Sequence, residues 1–382
     1  MAETGSGEWP FRGLDVAALQ DSGWRPVPIS EVVLKVHGRC NLACDYCYVY
    51  EGEDQSWRTR PAAMSSEVIA ATAARLAEHA REHALPKVTV VLHGGEPLLA
   101  GRASLAETIT LIRAAMPSTC EVEMCTQTNG VLLTDAMLAM LDEHDVGVSV
   151  SLDGDREGHD RHRLRANGRG SHADVMRGLN RLAGSYRRLY QGLLCTVDLD
   201  NDPVRTYEAL METRPPGMDF LLPHGTWQAP PPRRPVEGGG TPYADWLIAV
   251  FDRWYHAPRK ETGVRLFEEI INLLLGGQSR SENIGLSPSP CSSSTPTERS
   301  SRSTRSRSPT PAHPRPASPS STTVSTTRCC IPAWSRVRSD GRRCRPRARR
   351  ARYVTSAAEA ATHIATGRAT ATSTRPCTAL TC

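Results

Sequence analysis

The sequence predicts an α/β fold of parallel strands and intervening helices over residues 31–222, and three observations predict it. Short β-branched runs alternate there with helix-period segments, as βαβ units require. Polar and glycine residues collect directly after the strand segments, where folds of this class keep their ligands. The apolar share, 39% of 382 residues, is enough for a sizeable core.

Taken in order, residues 1–29 read as an N-terminal extension and 30–240 as the core domain. Strands are predicted at 31–37, 88–92, 122–127, 146–152, 193–197 and 218–222. Helices are predicted at 65–82, behind a Ser65 cap, at 105–115, at 134–143, where Thr134 precedes the first turn, and at 173–182 and 204–211. Six strands with helices between them fit either an open doubly wound sheet or a partial barrel. A Pro/Gly-rich loop at 229–240 leads to two more helical stretches, 243–256 and 264–275, within a helical segment 241–286.

From residue 287 the character changes. Ser, Thr, Arg, Pro and Ala dominate 287–382, Phe and Lys vanish, and neither period 2 nor period 3.6 is held. Such a composition cannot offset the entropy of ordering a core, so the tail is predicted to be unfolded. It reads either as disorder or, the favoured reading, as translation of a GC-rich gene in a shifted frame. The abrupt break and the scattered Cys at 329, 330, 344, 377 and 382 motivate the second.

The formal charge of +5 conceals two opposite regions. The tail holds 17 Arg and 3 acidic residues of the chain's 46 basic and 41 acidic, which leaves 29 and 38 for residues 1–286. An acidic body with an arginine-rich appendix is not a basic groove, so a nucleic-acid partner is not expected. No run of 18 apolar residues exists, and no basic-then-apolar leader opens the chain, so neither a membrane span nor a secretory signal is expected. Twelve Cys without an export signal suit metal binding in a reducing, cytoplasmic setting better than disulfides.

The segment Cys40-Asn-Leu-Ala-Cys44-Asp-Tyr-Cys47-Tyr48 carries the chemistry. Three close thiolates are soft ligands for iron–sulfur or zinc chemistry. They can hold three irons of a cubane and leave the fourth without a protein ligand. A zinc site would need a fourth ligand, for which His37 is the near candidate. The run ending His93-Gly94-Gly95-Glu96-Pro97 reads as a strand passing into a glycine turn, where backbone can approach a ligand closely and Glu96 offers a carboxylate to a cationic amine. Ser149 and Ser151 alternate with apolar residues and share one strand face. Cys120, Cys125 and Cys195 read as core residues.

The C-x3-C-x2-C spacing with a following aromatic, together with Gly-Gly-Glu-Pro, resembles the radical S-adenosylmethionine (SAM) superfamily. The resemblance implies a partial (β/α)6 TIM barrel followed by helices and the unfolded or frameshifted tail. It implies a [4Fe-4S] cluster on Cys40, Cys44 and Cys47, whose open iron takes SAM for reductive cleavage to methionine and a 5′-deoxyadenosyl radical. Tyr48 would stand beside cluster and adenine. Gly94, Gly95 and Glu96 would meet the SAM amino group, Thr128 and Asn129 would lie against SAM, Ser149 and Ser151 would contact ribose or carboxylate, and Arg163 would clamp the carboxylate. Asp153 is expected as a substrate-side proton acceptor or anchor, and His224 as a proton donor or peptide contact. Asn201 is expected at the substrate end.

Within the superfamily, the runs at 33–44, 92–99 and 276–280, with Ser-Leu-Asp-Gly and His-Asp-x-x-Arg, resemble the SPASM peptide maturases of the FxSxx type. These close a cyclophane ring in a ribosomal peptide. That resemblance implies a ribosomal precursor peptide and an electron donor such as flavodoxin or ferredoxin as partners. It also implies auxiliary [4Fe-4S] clusters in a domain starting near 287, where the tail Cys lack the required C-x2-C grouping. The alternatives are a sulfatase-maturing, formylglycine-generating enzyme or a catalytically impaired truncated relative.

Overall fold

All eight strands of the described residues lie parallel in one sheet, in the order β7-β6-β5-β4-β3-β2-β1-β8. The computed structural model describes residues 15–225, 229–234, 239–279, 284–285 and 291–294. The strands are β1 (Glu31–His37), β2 (Lys87–Gly94), β3 (Glu121–Thr128), β4 (Val146–Ser151), β5 (Tyr190–Thr196), β6 (Gly217–Leu221), β7 (Gly263–Val264) and β8 (Cys291–Ser294). The helices are α1 (Val16–Asp21), α2 (Ser66–Glu82), α3 (Arg102–Ala115), α4 (Asp135–Glu143), α5 (Arg156–His162), α6 (His172–Ala183), α7 (Pro203–Met211), α8 (Pro242–Tyr255) and α9 (Arg265–Leu274).

The strand order decides between the two architectures that the sequence leaves open. A doubly wound sheet reverses its order at a switch point. Here β1 to β7 succeed one another without reversal. Right-handed crossovers then place successive helices on the same face, which is the winding of a barrel. The sheet ends at β7 and β8 rather than closing, so the fold is a partial barrel.

Side-chain alternation gives the two faces different tasks. Val88, Val90 and Leu92 of β2, Val146, Val148 and Val150 of β4, and Leu193 and Cys195 of β5 join one core with Ile69, Ile109, Leu138, Leu179 and Tyr207 of the helices. Leu138 is fully buried, which stabilises α4 against the sheet by about 1.5–3 kcal/mol. On the other face Val33, Val91 and Cys125 form a small cluster of their own. Nearer the carboxyl ends that face turns polar, with His93, Gln127, Ser149 and Ser151.

Helix starts are fixed by side-chain caps, as Ser65 and Thr134 promise. Ser65 Oγ accepts from Val68 N at 3.4 Å and Thr134 Oγ1 from Met137 N at 3.2 Å. Asp155 caps α5 and Asp202 caps α7, the latter with Pro203 at the first helical position. Four elements depart from expectation: α1 forms within the N-terminal extension, for which no helix is predicted. α5 forms where no helix is predicted, and β7 is only two residues long. β8 lies in a stretch expected to hold no regular element, yet it pairs with β1 in register Glu31 with Cys291. The rest of the predicted tail lies outside the described residues. Among them, no helix is long and apolar enough to cross a membrane.

Candidate functional site

The loop after β1 carries the three cysteines, and its own backbone holds it in place. Arg39 donates from Nη1 to the carbonyls of Gly38 (2.8 Å) and Trp57 (2.9 Å), and from Nη2 to that of Arg60 (2.9 Å), joining the start of the loop to its return. Ala43 N donates to Leu164 O at 2.7 Å, just beyond α5. Gly95 N and Glu96 N donate to His37 O and Arg39 O, each at 2.9 Å. A Cβ at Gly94 (φ +144°) would stand 2.0 Å from His37 O, and one at Gly95 2.5 Å from Arg39 O. In this structure the two glycines serve the close approach of chain to chain that sets Cys40.

Cys40, Cys44 and Cys47 are half-buried and free. Cys40 Sγ receives Leu42 N at 3.4 Å and Asn129 Nδ2 at 3.7 Å. Burial pushes the Cys44 thiol up to about 12, with Arg163 acting in the opposite direction. A soft metal that displaces the proton overcomes such a shift. Among the described residues no three His, Cys, Asp or Glu side chains gather as a single metal ion demands. His37, the fourth ligand a zinc site would need, has Nδ1 turned onto the Arg39 backbone, 3.1 Å from its carbonyl oxygen. A cubane asks for one thiolate per iron at separate corners, and three thiols on one loop fit it.

Glu96 is fully buried beneath this loop. Its Oε1 accepts from Thr128 Oγ1 (2.7 Å) and Leu98 N (3.0 Å), and its Oε2 from Asn129 N (2.8 Å). Burial pushes its pKa up to about 7 against these three donors. Asn129 Nδ2 reaches Asn41 Oδ1 at 2.7 Å. Glu96, Thr128 and Asn129 thus come together, and they tie the ends of β2 and β3 to the cysteine loop.

Asp153 and Arg163 also meet, in a manner the sequence did not disclose. Asp153 Oδ2 accepts from Arg163 Nε at 2.7 Å and from the Tyr46 hydroxyl, and Oδ1 accepts from Thr196 N at 2.9 Å. Burial raises the Asp153 pKa, but Arg163, His159 and these hydrogen bonds together bring it below the ordinary value. The Arg163 guanidinium lies 5.5 Å from the Tyr46 ring centre, and neither Nη has a hydrogen-bond partner among the described residues. His159, fully buried on α5, accepts from Asp153 N through Nδ1 (3.3 Å) and donates through Nε2 to Ser171 Oγ (3.0 Å). Ser171 donates in turn to Arg163 O at 2.6 Å, which fixes that tautomer. Tyr46 and Ser171 are site-supporting residues that sequence reading missed, the aromatic immediately before Cys47 being the available signal, while His159 was read only as part of the His-Asp-x-x-Arg run.

The remaining positions divide between mouth and frame. Tyr48 is 48% exposed, with its ring 5.1 Å from that of His224 at the rim. Ser149 is buried on the inner face, and Ser151 receives Gln127 Nε2 at 3.0 Å. Asn201 is drawn into the frame instead, accepting from Arg161 through Oδ1 (2.7 Å) and from Trp246 Nε1 through its carbonyl (2.8 Å). Cys120, Cys125 and Cys195 are buried.

Residues 34–210 match the Radical SAM superfamily. The chain is 32% identical over 155 residues to the serine-type anaerobic sulfatase-maturating enzyme of Bacteroides thetaiotaomicron, covering 41% of this chain and 36% of that protein. It is 24% identical over 259 residues to the cysteine-type enzyme of Clostridium novyi, covering 66% of this chain and 67% of that one. Among solved structures, native anSMEcpe with bound AdoMet and Kp18Cys peptide aligns with a TM-score of 0.57 at 22% identity, over 66% of this chain and 67% of that one, which shows a common fold. The chain thus spans just over a third of the Bacteroides relative's length. These matches overturn the expected assignment to cyclophane-forming SPASM maturases of ribosomal peptides. The motifs behind it, the cysteine loop and Gly-Gly-Glu-Pro, lie within the stretch that matches the superfamily as a whole and do not separate its branches.

Proposed function

We propose, from the premise that its radical SAM domain and fold place this chain among the radical SAM enzymes, that it converts a cysteine or serine of a sulfatase polypeptide to formylglycine. The observation that carries the reading is the pair of matches to serine-type and cysteine-type sulfatase-maturating enzymes, the second extending over 66% of the chain.

A [4Fe-4S] cluster and SAM, when bound, supply the one-electron chemistry that removes a hydrogen from an unactivated carbon. Cys40, Cys44 and Cys47 are the residues to hold the cluster. Arg163, with Nε engaged by Asp153, offers its two terminal nitrogens to a carboxylate in the planar geometry that guanidinium favours. Both Asp153 oxygens are occupied, so Asp153 acts as a positioning residue for Arg163 and Tyr46. Tyr48 and His224 stand where a polypeptide would enter.

The test is anaerobic incubation of the reduced, cluster-loaded protein with SAM and a synthetic sulfatase-derived peptide, in cysteine and serine forms. Mass spectrometry should find one of them converted to the aldehyde, the serine form becoming lighter by a pair of hydrogens. Formation of 5′-deoxyadenosine with both peptides left intact would refute the assignment.

A further inference from the structure

The end of α5 and the residues just after it grip the cysteine loop on both sides of Cys44. Leu164 O accepts from Ala43 N at 2.7 Å, and His162 Nδ1 lies 2.9 and 3.0 Å from the two carboxylate oxygens of Asp45. Ala43 and Asp45 are the immediate chain neighbours of Cys44. The other ring nitrogen faces away from the loop. His162 Nε2 stands 3.3 Å from Oδ2 of Asp198, two residues beyond β5.

A carboxylate oxygen only accepts, so an imidazole with a carboxylate at each nitrogen carries a hydrogen on both and is a cation. The two carboxylates differ in how they are held. Asp198 is fixed without the bridge: its Oδ2 accepts from Arg161 Nη1 at 2.5 Å and its Oδ1 from Asp200 N at 2.9 Å. Burial raises the Asp198 pKa, but Asp200 N, Arg161 and His162 together bring it below the ordinary value. The Asp45 side chain is 64% exposed, and His162 is its hydrogen-bond partner among the described residues. The bridge thus runs from an anchored carboxylate on the frame to one on the cysteine loop, between two of the thiols.

We propose that His162 is a positioning residue for the cluster: its ring, tied at one nitrogen to Asp198 and at the other to Asp45, holds Cys44 in place between Cys40 and Cys47. The inference rests on the reading of these three cysteines as cluster ligands, and it is independent of which polypeptide is modified.

The test follows iron loss from the anaerobically reconstituted chain in excess bipyridyl, together with the electron paramagnetic resonance of the reduced cluster. His162→Ala should lose iron roughly fivefold faster than the parent, the scale of one partly exposed charge pair. Its reduced-cluster signal should broaden, because a residue that orients a ligand has gone. His162→Arg should recover most of the parent's rate, since a guanidinium has donors enough for both carboxylates. Asp45→Asn should repeat the alanine result, and the double variant should lose less than the two losses combined. If His162→Ala fails to fold, Asp45→Asn, made at a mostly exposed side chain, decides alone. Iron loss at the parent's rate in Asp45→Asn overturns the proposal. So does an arginine variant no better than the alanine one, which marks packing rather than charge. A parent chain that takes up no iron overturns the cluster reading itself, and this inference with it.

Discussion

Cys44→Ala is expected to abolish cluster retention and SAM cleavage together. After anaerobic reconstitution the unaltered protein should hold about four irons per chain, the content of one cubane. Two thiolates leave two irons without protein ligands, so the variant should lose nearly all of its iron on desalting and form no detectable 5′-deoxyadenosine. Cys125→Ala is the matched control. Cys125 is buried with Val33 and Val91 on the inner sheet face, below its polar carboxyl end and apart from the cysteine loop. Its loss should cost about 1 kcal/mol of stability and leave the iron content as it was. Equal iron in Cys44→Ala and the parent would exclude Cys44 as a ligand.

Asp153→Asn is expected to produce the largest loss of stability. The Asp153 carboxylate is 2% exposed and Arg163 is 9% exposed, so the pair is shielded from water on both sides. Removing one partner of a buried pair leaves an uncompensated charge, at a cost of about 3–5 kcal/mol. The asparagine amide also turns an N–H toward one of the donors Arg163 Nε, Tyr46 Oη or Thr196 N, since all three donate to Asp153. Urea denaturation should show a lowered midpoint with an unchanged slope. The native carboxyl titrates below its ordinary value. Its contribution is therefore complete above about pH 4, the unfolded value, and fades as pH falls through the lower folded value. The variant should lack that acid-dependent component. A midpoint within experimental error of the parent's would contradict the structural assignment of the pair.

Much of the framework was legible because burial on the helix-facing side imposes a strict pattern. β1 was read to the residue, and β2 to β6 within three residues at either end, since Val88, Val90 and Leu92, or Val146, Val148 and Val150, leave little freedom in register. α5 escaped because Arg-Glu-Gly-His-Asp-Arg-His has no apolar stripe; its buried contact is His159, which packs through hydrogen bonds. β7 and β8 are two and four residues long, too short for a period to show.

In the site, residue identity was more legible than residue partnership. Arg163 reads as a carboxylate clamp from its chemistry, but its first carboxylate comes from ten residues earlier in its own chain. Glu96 reads as a ligand for an amine and is found holding Thr128 and Asn129. Both cases reflect one limit: a motif specifies which groups converge, while the fold decides which of them are satisfied internally. The finer resemblance was misread for a related reason: the motifs relied upon fall almost entirely within the stretch that matches the superfamily as a whole, and so do not separate its branches.

The measurement that bears most directly on the whole account is electron paramagnetic resonance of the reduced, iron- and sulfide-reconstituted chain before and after addition of SAM. The account predicts the signal of a reduced [4Fe-4S] cluster whose shape changes when SAM is added, as ligation at an open iron requires. A single bound zinc with no such signal, or a cluster spectrum indifferent to SAM, would contradict it.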